Sequence, residues 1–313
     1  MSVTSLPASD QSTNHILLIE PAVFYANPET MDSNVYQHQS DENADAVFKK
    51  AHAEFINFQQ MLMRNGVAVT TVRGDTDCPD HIFPNWISTH KLENNASGII
   101  IYPMLNENRR RERSSQMVQF FQRHYQTYLD MSVYENKGLS LEANGSLCLD
   151  RVHKIAYATR SSRTDETLAQ QWAKTTGYEL VLFDTRSHNG QDYLDKPVYH
   201  TDLVMWIGTT VAALCAEAIT PENRQQVHDK LSKTHIVCEL TPQQMAHFCG
   251  NALEVQNLDG EKFLVMSSTA YGALTKNQTD LLSQHTHKLL HCPIPTIEQH
   301  GGGSARCLMM ELF

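Results

Sequence analysis

The chain has 313 residues, 41% of them hydrophobic and 19% charged, with a net charge of −10. That balance fits a water-soluble globular enzyme and leaves no basic stripe to neutralise nucleic-acid phosphates or bind an anionic membrane. Seven cysteines without C-x-x-C spacing point to reduced thiols and a cytoplasmic location.

Residues 1–14 are polar and expected to be loose, with no secretory signal pattern. Residues 15–20 read as a buried strand ended by Pro21. Asp41 is a candidate cap for a helix to Arg64, with Val47, Phe48, Ala51, Phe55, Phe58, Met61 and Leu62 at helical spacing. Asn65-Gly66 ends it, and 67–72 is a strand. Strands at 82–89 and 99–102, a helix at 111–129 and a strand at 131–134 follow. Arg109-Arg110-Arg111 with Arg113 reads as the solvated start of that helix.

Next come a hairpin (146–149 and 155–158), a helix at 164–175 and a strand at 179–183. The pair 203–207 and 211–215 precedes a helix opened by Pro221 and a strand at 235–239. Strands at 252–256 and 263–266 flank an Asp259-Gly260 turn, then a helix at 276–287 and a strand near Leu290. A last strand near Cys307 needs a partner, which 15–20 supplies. His285, His287, His291 and Cys292 do not make a zinc site, because i, i+2 on a helix points to different faces.

This order is five strand–strand–helix–strand units, the first completed by both chain ends. A unit of about fifty residues recurring at near-constant period marks a closed radial array. Closing the ring removes free sheet edges. The expectation is an α/β fold, a five-bladed αβ propeller in one domain over 1–313. A doubly wound sheet is the rival, weakened by the lack of a Gly-rich nucleotide loop after the first strand.

Residues at the same place in each unit then converge on the axis. Asn85, Glu142, His200, Asn251 and Cys307 open successive units, separated by 57, 58, 51 and 56 residues. Gly301-Gly302-Gly303 frees the backbone before Cys307, where Arg306 and nearby N–H groups would favour a thiolate. His200 and Asp202 are expected on one face of a strand, with Glu142 the natural partner of His200. Asp80 adds a carboxylate beside Asn85.

These residues resemble the guanidine-modifying superfamily of the pentein fold: arginine and agmatine deiminases, dimethylarginine dimethylaminohydrolases and amidinotransferases. The chain looks most like the bacterial citrulline-utilisation hydrolases. The matching motifs are Pro79-Asp80-x-x-Phe83-Pro84-Asn85, Leu141-Glu142 with Gly145-Ser146 and Leu149-Asp150-Arg151, His200-Thr201-Asp202, and Gly301 to Cys307. The resemblance implies Cys307 as nucleophile, His200 as acid then base, and Glu142 as its orienting partner. Asp80, Asp202, Asn85 and Asn251 would bind a small guanidino or ureido amino acid, with no cofactor and no metal. Related deiminases carry an aspartate shortly after the Phe, where this chain has Asn85, so a ureido substrate becomes plausible. Amidino transfer to an amine and a non-catalytic pentein-fold binding protein are the alternatives.

Overall fold

The computed structural model describes residues 5–93 and 96–313. β1 (His15–Glu20) runs parallel to β2 (Ala68–Arg73). The helix Ala44–Arg64 joins them and buries Val47, Ala51, Phe55, Phe58 and Leu62 on one face. Its cap is Asn43, whose side chain accepts from the Ala46 N–H, rather than Asp41.

The second sheet holds β3 (Ile87–Lys91), β4 (Ser97–Ile101) and β5 (Gln126–Asp130). The third holds β6 (Cys148–Asp150), β7 (Ile155–Thr159) and β8 (Glu179–Phe183). The fourth holds β9 (Met205–Ile207), β10 (Val211–Leu214) and β11 (Ile236–Glu239). The fifth holds β12 (Leu253–Gln256), β13 (Lys262–Ser267) and β14 (Lys288–Cys292). In each of these four sheets the first two strands are antiparallel. The third strand lies parallel to the second. The crossovers carry helices Ser115–Gln122, Glu166–Thr176, Pro221–Ser232 and Lys276–His285. A parallel pair needs such a crossover, so the helix placement follows from the strand order.

β15 (Met310–Glu311) returns to β1 antiparallel, with Leu17 opposite Met310, so both chain ends build the first sheet. These five three-stranded sheets fit the expected five-unit arrangement. β1 is buried on both faces. Ile16 and Leu18 pack with Phe55 and Phe58, while Leu17 and Ile19 pack with Trp86, Ile87 and Ile99. Each such buried side chain contributes about 1.5–3 kcal/mol, and alternation sends it to two separate clusters.

Several local expectations fail. The helix expected at 111–129 covers only Ser115–Gln122, and β5 follows at once. Residues 131–134 are not a strand, since a 3₁₀ turn spans Ser132–Lys137. β5 reads Gln-Thr-Tyr-Leu-Asp on a largely exposed edge, so it lacks the apolar run that signals a buried strand. Residues 82–86 are irregular, and β3 begins only at Ile87.

Of the N-terminal stretch expected to be loose, residues 1–4 lie outside the described residues. Residues 5–14 form no strand before Asn14, yet they are tied down. Leu6 is buried, its N–H donates to Thr176 O, and the Gln11 amide donates to Leu149 O and Ile207 O. Among the described residues no helix is long and apolar enough to cross a membrane.

Candidate active site

The helix Pro295–Gly301 stops at Gly302, which takes the left-handed conformation at φ 63°. A Cβ there would lie 2.5 Å from Asn34 Nδ2, so both the turn and the contact require glycine. Ser304 Oγ then donates to the buried Glu298 (2.6 Å), tying the glycine turn back to its own helix. Cys307 rides on one helical turn, Ala305–Leu308, just before β15. That turn lifts its thiol toward Asn251 and Asp202.

Asn251 brackets the nucleophile candidate. Its Nδ2 donates to Cys307 Sγ (3.1 Å), and its Oδ1 accepts from the Cys307 N–H (3.3 Å). The thiol donates to Asp202 Oδ2 at 3.5 Å. Burial pushes the Cys307 thiol well above its ordinary value, and the Asp202 carboxylate pushes it further, against weaker opposition from Ser304, Asn251 and Arg306. Arg306 does not serve as the expected thiolate partner. Its guanidinium donates to Met309 O (2.9 Å) and to Glu311 (3.1 Å).

His200 and Asp202 were expected on a strand; instead Thr201–Leu203 is a 3₁₀ turn that His200 caps. The His200 ring donates through Nε2 to Glu142 Oε2 at 2.9 Å. Gly145 makes this approach possible, because a Cβ there would lie 2.3 Å from His200 Nδ1. Glu142 is fully buried. Its Oε1 accepts from the Leu105 N–H at 3.1 Å. Its Oε2 lies 3.5 Å from Arg163 and 3.9 Å from Arg109. Burial opposes its ionisation, but Arg163, His200 and Arg109 prevail and hold the carboxyl at about 2. His200 itself is held below its ordinary value, chiefly by burial and further by Arg163, with Glu142 pulling the other way. At neutral pH the resting pair is therefore a neutral thiol and a neutral imidazole.

Cys307 and His200 line one cavity of about 250 Å³ together with Asp80, Asn85, Arg109 and Arg163. Asp80 Oδ2 accepts from Asn27 (2.7 Å) and Thr30 (3.1 Å), while Oδ1 is buried without a partner among the described residues. Asn85 Oδ1 accepts from Arg109 Nη1 at 3.3 Å, and its amide nitrogen makes no hydrogen bond within the described residues. Arg109 corrects the reading of its cluster as a solvated helix start: it is 2% exposed. It donates to Phe83 O (2.6 Å) and pairs with Glu112 (2.8 Å). Burial pushes Glu112 up to about 7 even beside Arg109. Of its neighbours, Arg113 pairs with Glu135 and only Arg111 is exposed.

All seven expected residues fall in one connected site. Asn251 is turned to Cys307, and Glu142 stands behind His200. The sequence reading missed Arg109, Arg163, Tyr199 and the 21–43 connection, which supplies Asn27, Thr30 and Asn34. Arg163 donates to Ser33 Oγ and lies 4.6 Å over the Tyr199 ring, whose hydroxyl donates to Gly302 O. Charge accounting offers the one signal for the arginines: buried Asp80, Glu142 and Asp202 require cations close by.

No curated protein matches the chain in sequence. Among solved structures, the N-terminal domain of ArgZ, an arginine dihydrolase from the ornithine–ammonia cycle in cyanobacteria, aligns with a TM-score of 0.72 at 15% identity. That alignment covers 95% of this chain and 97% of that domain. Unliganded AgrE aligns at 0.73 and 14% identity over 96% of this chain, which spans 39% of AgrE. A dimethylarginine dimethylaminohydrolase variant bearing an S-methyl-L-thiocitrulline adduct aligns at 0.59 and 15% identity, covering 95% and 99%. These likenesses show a shared mixed α/β fold. The family model for eukaryotic N,N-dimethylarginine dimethylhydrolase matches residues 20–313. The chain therefore belongs to that family, within the pentein guanidine-modifying superfamily.

Proposed function

We propose that this chain is a cysteine-dependent hydrolase of C–N bonds in a linear amidine or ureido compound, an arginine- or citrulline-like amino acid. The observation that carries the reading is one pocket lined by Cys307, His200 and Asp80, whose Oδ1 has no hydrogen-bond partner among the described residues. A planar amidine offers paired N–H donors, and Asp80 offers an acceptor with nothing else to bind.

In this mechanism the Cys307 proton moves to His200 as sulfur attacks the central carbon. The imidazolium, stabilised by Glu142, gives that proton to the departing nitrogen, and the C–N bond breaks. Water then adds to the Cys307 adduct while His200 takes its proton, and the C–S bond breaks to restore the thiol. Asn251 and Asp202 hold the sulfur in line. The neighbouring arginine dihydrolase and the thiocitrulline adduct of the dimethylarginine enzyme support this substrate class.

The same reading takes the five sheets as blades of a single αβ propeller domain. It is supported by five site residues drawn from five successive units. A cytoplasmic location, resting on seven free cysteines, is part of the proposal. The test is mass spectrometry of the intact protein quenched with guanidines and ureas. A Cys307 adduct on the path to a ureido product and ammonia is expected, and no adduct with any of them would overturn the reading.

A further inference from the structure

The two oxygens of Asp202 have different surroundings. Oδ2 meets the Cys307 thiol at 3.5 Å, whereas Oδ1 is buried with no hydrogen-bond partner among the described residues. Asp202 also lines a second cavity, of about 420 Å³, to which neither Cys307 nor His200 contributes. Its polar wall includes Asn144, Arg151, Arg306 and Glu311. Both arginines are tied to Glu311, at 3.6 and 3.1 Å, so the charges there are largely matched. Gln11 spans part of this wall, donating to Leu149 O (2.8 Å) and Ile207 O (3.0 Å) and accepting from the Arg151 N–H (2.8 Å).

A buried acceptor without a donor is costly, so Asp202 Oδ1 calls for a small hydrogen-bond donor. Asp202 is the residue that both meets the Cys307 thiol and lines the second cavity. We propose that the second cavity binds the small nitrogen product, ammonia or ammonium, and admits the water that replaces it. This deepens the C–N hydrolase reading and rests on it. The C–N electron pair leaves with the nitrogen, which takes the His200 proton beside Asp202 and passes to its free oxygen. Water enters by the same cavity, adds its oxygen to the adduct carbon and returns a proton to His200. No other reactant is required.

Gln11→Trp and Ile207→Trp each fill this cavity from residues outside the catalytic set, one on an irregular segment and one on β9. With an arginine-like guanidine, the Cys307 adduct should survive about tenfold longer in both variants than in the parent, because release and water entry become limiting. Inhibition by added ammonium should weaken. Alkylation of Cys307 by iodoacetamide, which needs neither ammonia release nor water entry, should be unchanged. Gln11→Ala, which adds space, should leave the adduct lifetime as it was. Adduct decay at the parental rate in both filled variants would overturn the second site while leaving the hydrolase reading intact. Absence of any adduct in the parent protein would overturn the hydrolase reading itself.

Discussion

Glu142→Gln removes a charge on which several buried groups depend. Its carboxyl drops from an ordinary 4.5 to about 2 on folding, and at roughly 1.4 kcal/mol per pH unit this amounts to about 3 kcal/mol of stability. The sign follows from the direction. A depressed carboxyl stabilises above its unfolded value, and the contribution disappears as pH falls from about 4.5 to about 2. Glutamine keeps the shape but leaves Arg163 and Arg109 with one buried counter-charge fewer, which costs about 3–5 kcal/mol when a pair is broken. The assay is urea unfolding of both proteins at pH 7 and near pH 2. The variant should be less stable by about 3 kcal/mol at pH 7, and the gap should close by the lower pH. At the same time kcat should fall roughly 10³- to 10⁴-fold, because the imidazolium formed in the reaction loses its carboxylate. A stability gap that persists unchanged at low pH would refute the electrostatic account and leave only packing.

Cys307→Ser should fold normally, bind substrate and show no turnover or adduct; retained turnover would point to direct attack by water. Asn85→Asp should shift the kcat/KM ratio of arginine-like over citrulline-like compounds upward by about tenfold or more, since a charge-assisted contact replaces a neutral donor. An unchanged ratio would mean that the free Asn85 amide does not meet the substrate. Gly145→Ala should lower kcat about 10²-fold by displacing the His200 ring, with KM little changed. Parental kcat in that variant would show that the ring position is not set by this contact.

What the sequence disclosed and what it withheld divide along a physical line. The strands β1 and β8 match their expected bounds because they are short apolar runs closed by Pro21 and opened after Gly177. Cys307, His200 and Glu142 were legible because each repeats a place in a unit, and a repeat turns sequence distance into spatial convergence. Arg109 was not, since its burial depends on Glu112 together with Asp80, Glu142 and Phe83, which local pattern does not connect to it. The 21–43 connection was silent for a related reason. Asn27 and Thr30 hydrogen-bond to Asp80 about fifty residues away, and no period marks such contacts. The Cys307 environment was misread because Arg306 is adjacent in sequence yet turned toward Glu311.

That misreading bears on how the site works. Burial and Asp202 keep the Cys307 thiol protonated, and burial keeps His200 neutral, so the resting site holds no ready nucleophile. Under the proposed function a bound amidinium would change the balance, because a cation beside sulfur favours the thiolate and partly offsets the field of Asp202. The imidazole that receives the proton is already joined to an ionised Glu142, so the new imidazolium forms next to its counter-charge. In the proposed mechanism nucleophile formation is thereby linked to substrate charge. A neutral urea would have to draw its help from the Asn85 amide donor instead. A thiol that on this proposal ionises only when the substrate arrives would also be a poor target for oxidants, which react with the thiolate. Burial of Cys307 thus favours selectivity and protection together, at the expense of a nucleophile that is ready at rest.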